Sequence, residues 1–240
     1  MKQSLGFQDS SHSFAKDQRE KLAGINNFIR AVNPNNMNFD VEYLDDIEKQ
    51  DNDNEMMENI VCTLDNLASD VAIHGELLQN GVINVIARFI ELFLSSAKEE
   101  NGMGVNELQE GIDLSVMPIG SLKLIKAVTS LMMKLSQEPQ IQMQCLDLGM
   151  LDMLQTCIES FQDYEVLTWL YIAIGNFTVS GLTTNENVQI KNGDHYFNIC
   201  GEIRVKAANF GCMQILIYGS ESSPFFRIRR ICNEYLSLLQ

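Results

Sequence analysis

The sequence predicts an all-α fold assembled from recurring helical units. Only four prolines interrupt 240 residues, and the 45% apolar content draws on Leu, Ile, Met and Ala, which favour helix over sheet. The third observation is a recurrence. The stretches Leu64 to Ile90, Met133 to Ile158 and Ile203 to Ile217 read alike: a short helical pattern ends at Gly81, Gly149 or Gly211, and an apolar helix follows at once. Glycine at that point permits a left-handed residue or a close approach, which joins two helices at a sharp angle.

Taken in order, Met1 to Arg19 is polar, rich in Ser and Gln, and is read as a mobile tail (1–19). Leu22, Ile25, Phe28, Ile29 and Val32 then form a helical stripe that ends at the Asn33–Asn38 turn cluster around Pro34. Asp40 is placed to cap a short helix through Lys49, and Gln50 to Asn54 is a polar break. Residues 20–54 are therefore expected to be N-terminal capping helices with an acidic linker, shielding the apolar side of a repeat domain over 55–240.

Within that domain, longer apolar helices are expected over Met56–Ala68, Ser121–Leu135 and Tyr164–Val179. The unit is thus short helix, glycine, medium helix, loop, long helix. The last one runs Asn198–Phe210, Cys212–Gly219 and Pro224–Leu239, with Ser223 as N-cap and Pro224 at the first helical position.

This unit resembles the armadillo repeat, whose three helices join in that order with a glycine between the first and second. Leu167 to Val179 resembles the family's third helix, with Ala173, Ile174, Gly175 and Asn176 at its small, aliphatic, small and Asn positions. The resemblance implies a right-handed superhelical, armadillo-like solenoid of about three repeats behind the N-terminal capping helices, and covers about Glu55 to Gln240. The three glycines are 68 and 62 residues apart. Repeats of this kind run ~40–47 residues, so each interval carries roughly 20–26 extra. Two inserted loops account for these, at 98–117 and 181–197. In the second, Asn192-Gly193 between short β-prone runs is a type I′ hairpin signal, the alternative being a helix end capped by Gly193.

The third helices of the armadillo family line a concave groove, where its peptide-binding members use a Trp and an Asn four residues later to clamp an extended backbone. Asn pairs with unsatisfied amides because it donates and accepts at once. Asn66 and Lys134 each lie 15 residues before a hinge glycine, and Asn176 joins their register once the insertion is allowed for. The positions four earlier hold Cys62, Ser130 and Ile172, none of them Trp, which argues against import-receptor-type recognition of basic peptides. The candidate concave-face residues are Asn66, Lys134, Asn176, Arg230 and Asn233; the alternative for Asn66 and Asn176 is that they cap or brace helices. Trp169, in a strongly apolar helix, is read as a core residue. Phe225, Phe226, Arg227, Arg229 and Arg230 form a basic aromatic cluster, read as a solvated face or as a grip on an acidic segment such as Asp40–Glu58.

Composition narrows the function classes. With 17 basic and 32 acidic residues, the net charge is −15, which argues against a nucleic-acid partner. The six cysteines show no metal or redox spacing, and His12, His74 and His195 have no carboxylate or Cys at a ligand or triad spacing. Gly102 and Gly104 lack the strand and Lys of a phosphate loop. No nucleophile elbow or paired acid–base constellation is present. The expectation is a non-enzymatic adaptor, scaffold or regulatory subunit without a cofactor or metal, binding a protein partner as an extended peptide or helix. The alternative is a nucleotide-exchange co-chaperone of a seventy-kilodalton heat-shock protein, on a loose resemblance to short, acidic armadillo proteins of that role. No apolar run reaches the ~18 residues of a membrane span. A reducing cytosolic or nuclear setting is expected from the free thiols.

Overall fold

The computed structural model describes residues 58–100, 119–182 and 186–240. The expected tail, the capping helices and acidic linker, and nearly all of the 98–117 insertion lie outside them. Ten α-helices are described: α1 (58–67), α2 (His74–Gln79), α3 (Val82–Glu100), α4 (Ile119–Leu135), α5 (Pro139–Asp147), α6 (Met150–Ser160), α7 (Tyr164–Thr178), α8 (Glu186–Phe210), α9 (Cys212–Ser222) and α10 (Phe226–Ser237). A short 3₁₀ turn, Val71–Ile73, precedes α2. Among the described residues there is no β-strand.

The helix boundaries follow local chemistry. Asp163 Oδ1 accepts from the amides of Glu165 and Val166 at 2.9 and 3.0 Å, which starts α7. Pro139 opens α5, where its missing N–H costs nothing. Gly81, Gly149 and Gly211 adopt φ of 77, 67 and 99°, each immediately before α3, α6 or α9. The backbone there is left-handed, as the sequence suggested. Ser223, by contrast, is not the N-cap of the last helix. Its hydroxyl accepts from the Phe225 amide at 3.3 Å and its carbonyl from Arg229 Nη1 at 2.6 Å, so the chain turns once more and α10 begins at Phe226 with Phe225 as N-cap.

The order helix, hinge glycine, helix, helix therefore occurs three times, as α2–α3–α4, α5–α6–α7 and α8–α9–α10, behind the lone α1. Helices in equivalent places pack on one another: α4 on α7 and α7 on α10, α3 on α6, α5 on α8. Two ion pairs tie α1 to α4, Lys123 to Glu58 and Lys134 to Asp65, both at 2.8 Å. One apolar core runs through all these layers, with Leu64, Ile86, Ile90, Val128, Met132, Leu135, Met150, Leu154, Leu170, Ile174, Phe177, Ile203, Leu216 and Ile228 essentially inaccessible. Each such apolar side chain contributes about 1.5–3 kcal/mol by leaving water.

Two further expectations fail. The 181–197 segment is not a loop or β-hairpin: after the turn at Gly181, α8 begins at Glu186 and runs unbroken through Asn192 and Gly193. A type I′ turn needs positive φ at both residues, and a two-stranded hairpin without further strands is marginal. Buried Cys200, Ile203 and Ala207 anchor the C-terminal half of α8, from which the helix extends at one backbone bond per residue. Gly193 accordingly does not cap a helix end either. Trp169 is also not a core residue. Val166, Leu167, Leu170, Tyr171 and Ile174 fill the packed side of α7, leaving Trp169 half-buried on the other face with Ile172 and Asn176.

Candidate functional site

Trp169, Ile172 and Asn176 are spaced by three and four residues, so they share one stripe of α7. Where that stripe meets α4, α5 and α10, two depressions adjoin. One of about 410 Å³ is lined by Gln137, Glu138, Gln142, Asn176 and the Val179–Gly181 turn; one of about 280 Å³ is lined by Ile231, Glu234 and Leu238. Ile172 and Tyr235 line both, so they form one groove.

Its floor is a hydrogen-bonded lattice of buried Ser136, Gln142 and Ser180 with half-buried Asn176 and Tyr235. Tyr235 donates its hydroxyl to Asn176 Oδ1 at 2.7 Å, and Asn176 Nδ2 donates to Ser136 Oγ at 2.9 Å. Gln142, on α5, donates Nε2 to the carbonyls of Ser136 and Asn176 at 2.6 and 3.0 Å, and its Oε1 accepts from Ser180 Oγ at 2.5 Å. The ends of α4, α7 and α10 are thus locked together by side chains from three layers. Burial pushes the Tyr235 phenol up to about 12, so it remains a donor at every physiological pH. Its ring lies so close over Gly175 that a Cβ there would meet Tyr235 Cγ at 2.6 Å.

The five residues singled out from sequence fare differently. Asn176 lines the groove but is a brace, with both ends of its amide engaged by Ser136 and Tyr235. Lys134 Nζ is held by the Asp65 carboxylate and carbonyl, both at 2.8 Å. Asn66 is exposed on α1. On α10, Arg230 pairs with Glu234 at 3.2 Å and Asn233 donates to the Arg229 carbonyl at 2.9 Å; neither lines the groove, to which α10 contributes Ile231, Glu234, Tyr235 and Leu238. The structure therefore gathers Asn176 into the groove and leaves Asn66, Lys134, Arg230 and Asn233 outside its lining.

Sequence reasoning missed Tyr235, Gln142 and Ser180. A signal for Gln142 existed. It lies seven residues before Gly149, as His74 lies before Gly81 and Arg204 before Gly211, and each of the three bonds a carbonyl just beyond the preceding long helix: His74 Nε2 with Ala68 at 2.8 Å, Gln142 with Ser136, Arg204 with Ser180. A polar side chain recurring at one offset inside an apolar helix marks a place where a helix end must be satisfied.

Among the described residues, no three His, Cys, Asp or Glu side chains are grouped to hold a metal ion, and no helix is long and apolar enough to cross a membrane. The thiols of Cys145, Cys157, Cys212 and Cys232 are pushed by burial up to about 12. The chain matches no protein-family model, no curated protein and no solved structure.

Proposed function

We propose that the three helix triplets are armadillo-like repeats stacked as a right-handed solenoid, and that the protein is a non-enzymatic interaction module. Its partner is an extended peptide or a helix, received on the face formed by α1, α4, α7 and α10. One observation carries this reading: in each triplet a glycine at positive φ precedes the second helix, and the third helices α4, α7 and α10 pack in succession, with α3 on α6 and α5 on α8 beside them. Repetition of a unit with a constant rotation creates a long concave surface suited to such partners.

Ile172 and Leu238 supply apolar contact in the groove, with Trp169 one turn before Ile172 on the same stripe of α7; Gln137 offers exposed amide groups, and Glu138 places a carboxylate at the margin, whereas Glu234 is paired with Arg230. Asn176 acts indirectly, by holding Tyr235 in the groove floor. Cytosolic or nuclear residence and an adaptor, scaffold or regulatory role belong to the same proposal.

The test is quantitative affinity capture from the native cytosol with the intact chain and with Ile172→Glu and Trp169→Ala, each first shown to melt as the parent does. Partners of the groove are expected to fall at least about tenfold with one or both variants, as for an interface anchor. Capture of the same proteins at the same level by folded variants would refute a groove-based role.

A further inference from the structure

The polar joints between the ends of successive long helices follow one plan, and one of them is unfinished. Between α4 and α7, Gln142 donates to Ser136 on one side and accepts from Ser180 on the other. Between α1 and α4, His74 takes the equivalent place. Its Nε2 lies 2.8 Å from the Ala68 carbonyl. A carbonyl only accepts, so Nε2 carries the hydrogen, and Nδ1 of the neutral ring is a bare acceptor.

The residue opposite is Glu138, four beyond Lys134 as Ser180 is four beyond Asn176. Ser180 has a hydroxyl to donate; the Glu138 carboxylate has none. Its Oε1 stands 3.9 Å from Nδ1, and Nδ1 is buried with no hydrogen-bond partner in a residue only 3% exposed. Two acceptors confront each other where the sister joint makes a bond.

We propose that His74 and Glu138 form a proton-operated latch between the ends of α1 and α4. A proton taken up at Nδ1 turns the ring into a double donor, and Nδ1–H then bonds Glu138 Oε1, supplying the link that Ser180 supplies one joint further on. The cleft beside the pair, about 140 Å³, is otherwise lined by Val71, Gly75, Leu78, Gln140 and Ile141. None of those ionises. From its own helix His74 has Glu76, which is exposed.

The direction follows from opposing effects. A charge-assisted bond and relief of a buried unpaired nitrogen favour the protonated state, whereas burial of an imidazolium opposes it. The Glu138 side chain is 38% exposed, so solvent screens part of the attraction. Imidazole is the side chain that most readily gains a second ring proton in mild acid, and the latch closes when that proton is taken up. Glu138 also lines the 410 Å³ groove, and closure would draw a carboxylate from its margin toward α2. That consequence rests on the binding role proposed above; the latch itself does not.

The chain has three histidines, so ¹⁵N-detected imidazole spectra of the full protein resolve His74 by comparison with His74→Gln. Between about pH 8 and about pH 5.5, Nδ1 of His74 should move from the bare-acceptor to the protonated shift, with a lower midpoint in Glu138→Gln. In thermal melts, the parent should gain stability over Glu138→Gln as pH falls, by about threefold in the unfolding equilibrium across that range. A folded chain whose Nδ1 stays unprotonated throughout, or titrates identically in Glu138→Gln, overturns the latch. Either outcome is independent of whether the groove binds a partner, and the Glu138→Gln arm stands even if His74→Gln does not fold.

Discussion

Replacing Gly149 by alanine isolates the hinge from every other role of the residue. At φ 67° the backbone is left-handed, and a Cβ built there meets nothing nearer than Asp152 Oδ2 at 4.0 Å. Space is therefore available and the cost is conformational, about 1–2 kcal/mol for an L-residue in that region. Alanine also narrows the unfolded ensemble, which returns about 0.4–1 kcal/mol. The net destabilisation is about 1 kcal/mol, equivalent to a fall of about 2–4 °C in Tm for a domain of this size. Gly149→Asn should recover part of the loss, because Asn enters the left-handed region more readily. The assay is reversible thermal unfolding followed by far-ultraviolet circular dichroism, with parent, Ala and Asn variants side by side. Gly149→Ala melting with the parent, or Asn faring no better than Ala, would show that the left-handed turn is not what the position requires.

Gly175→Ala should fail for the opposite reason: α7 is regular there, but the added methyl collides with the Tyr235 ring and displaces it from Asn176, an overpacking cost of about 1–3 kcal/mol; a Tyr235→Leu partner substitution should relieve it in a double-variant melt. Gln142→Leu leaves the Ser136 and Asn176 carbonyls and the Ser180 hydroxyl without their shared partner, for a loss of about 2–4 kcal/mol measured by urea unfolding, while Gln142→Glu should also destabilise because a carboxylate cannot donate. Alkaline pH should unfold the protein early. The buried thiols of Cys145, Cys157 and Cys212 sit near 12 when folded and lower when unfolded, so above about pH 9 the folded chain holds protons that the unfolded chain has lost. The sign is a stability that is full below that pH and falls as pH rises, by about 1 kcal/mol or more per unit, and a flat profile in denaturant titrations between about pH 9 and pH 11 would contradict it.

The sequence by itself determined most of the helices and the three hinges. Apolar residues at helical spacing make Val82–Glu100, Ile119–Leu135 and Tyr164–Thr178 helical whatever they pack against, and three glycines before apolar runs announce left-handed turns because few other residues adopt positive φ. Those are properties of a few consecutive residues. Tertiary structure decided everything that depends on residues distant along the chain. Tyr235 and Asn176 are 59 apart, Gln142 and Ser180 are 38 apart, and no local pattern says that they meet. Trp169 was misplaced for the same reason, since hydrophobicity alone does not say which side of an almost wholly apolar helix faces its neighbours. At Asn192-Gly193 a local turn signal lost to the anchoring of α8 through Cys200, Ile203 and Ala207, because burial against the adjacent layer outweighs the preference of one dipeptide.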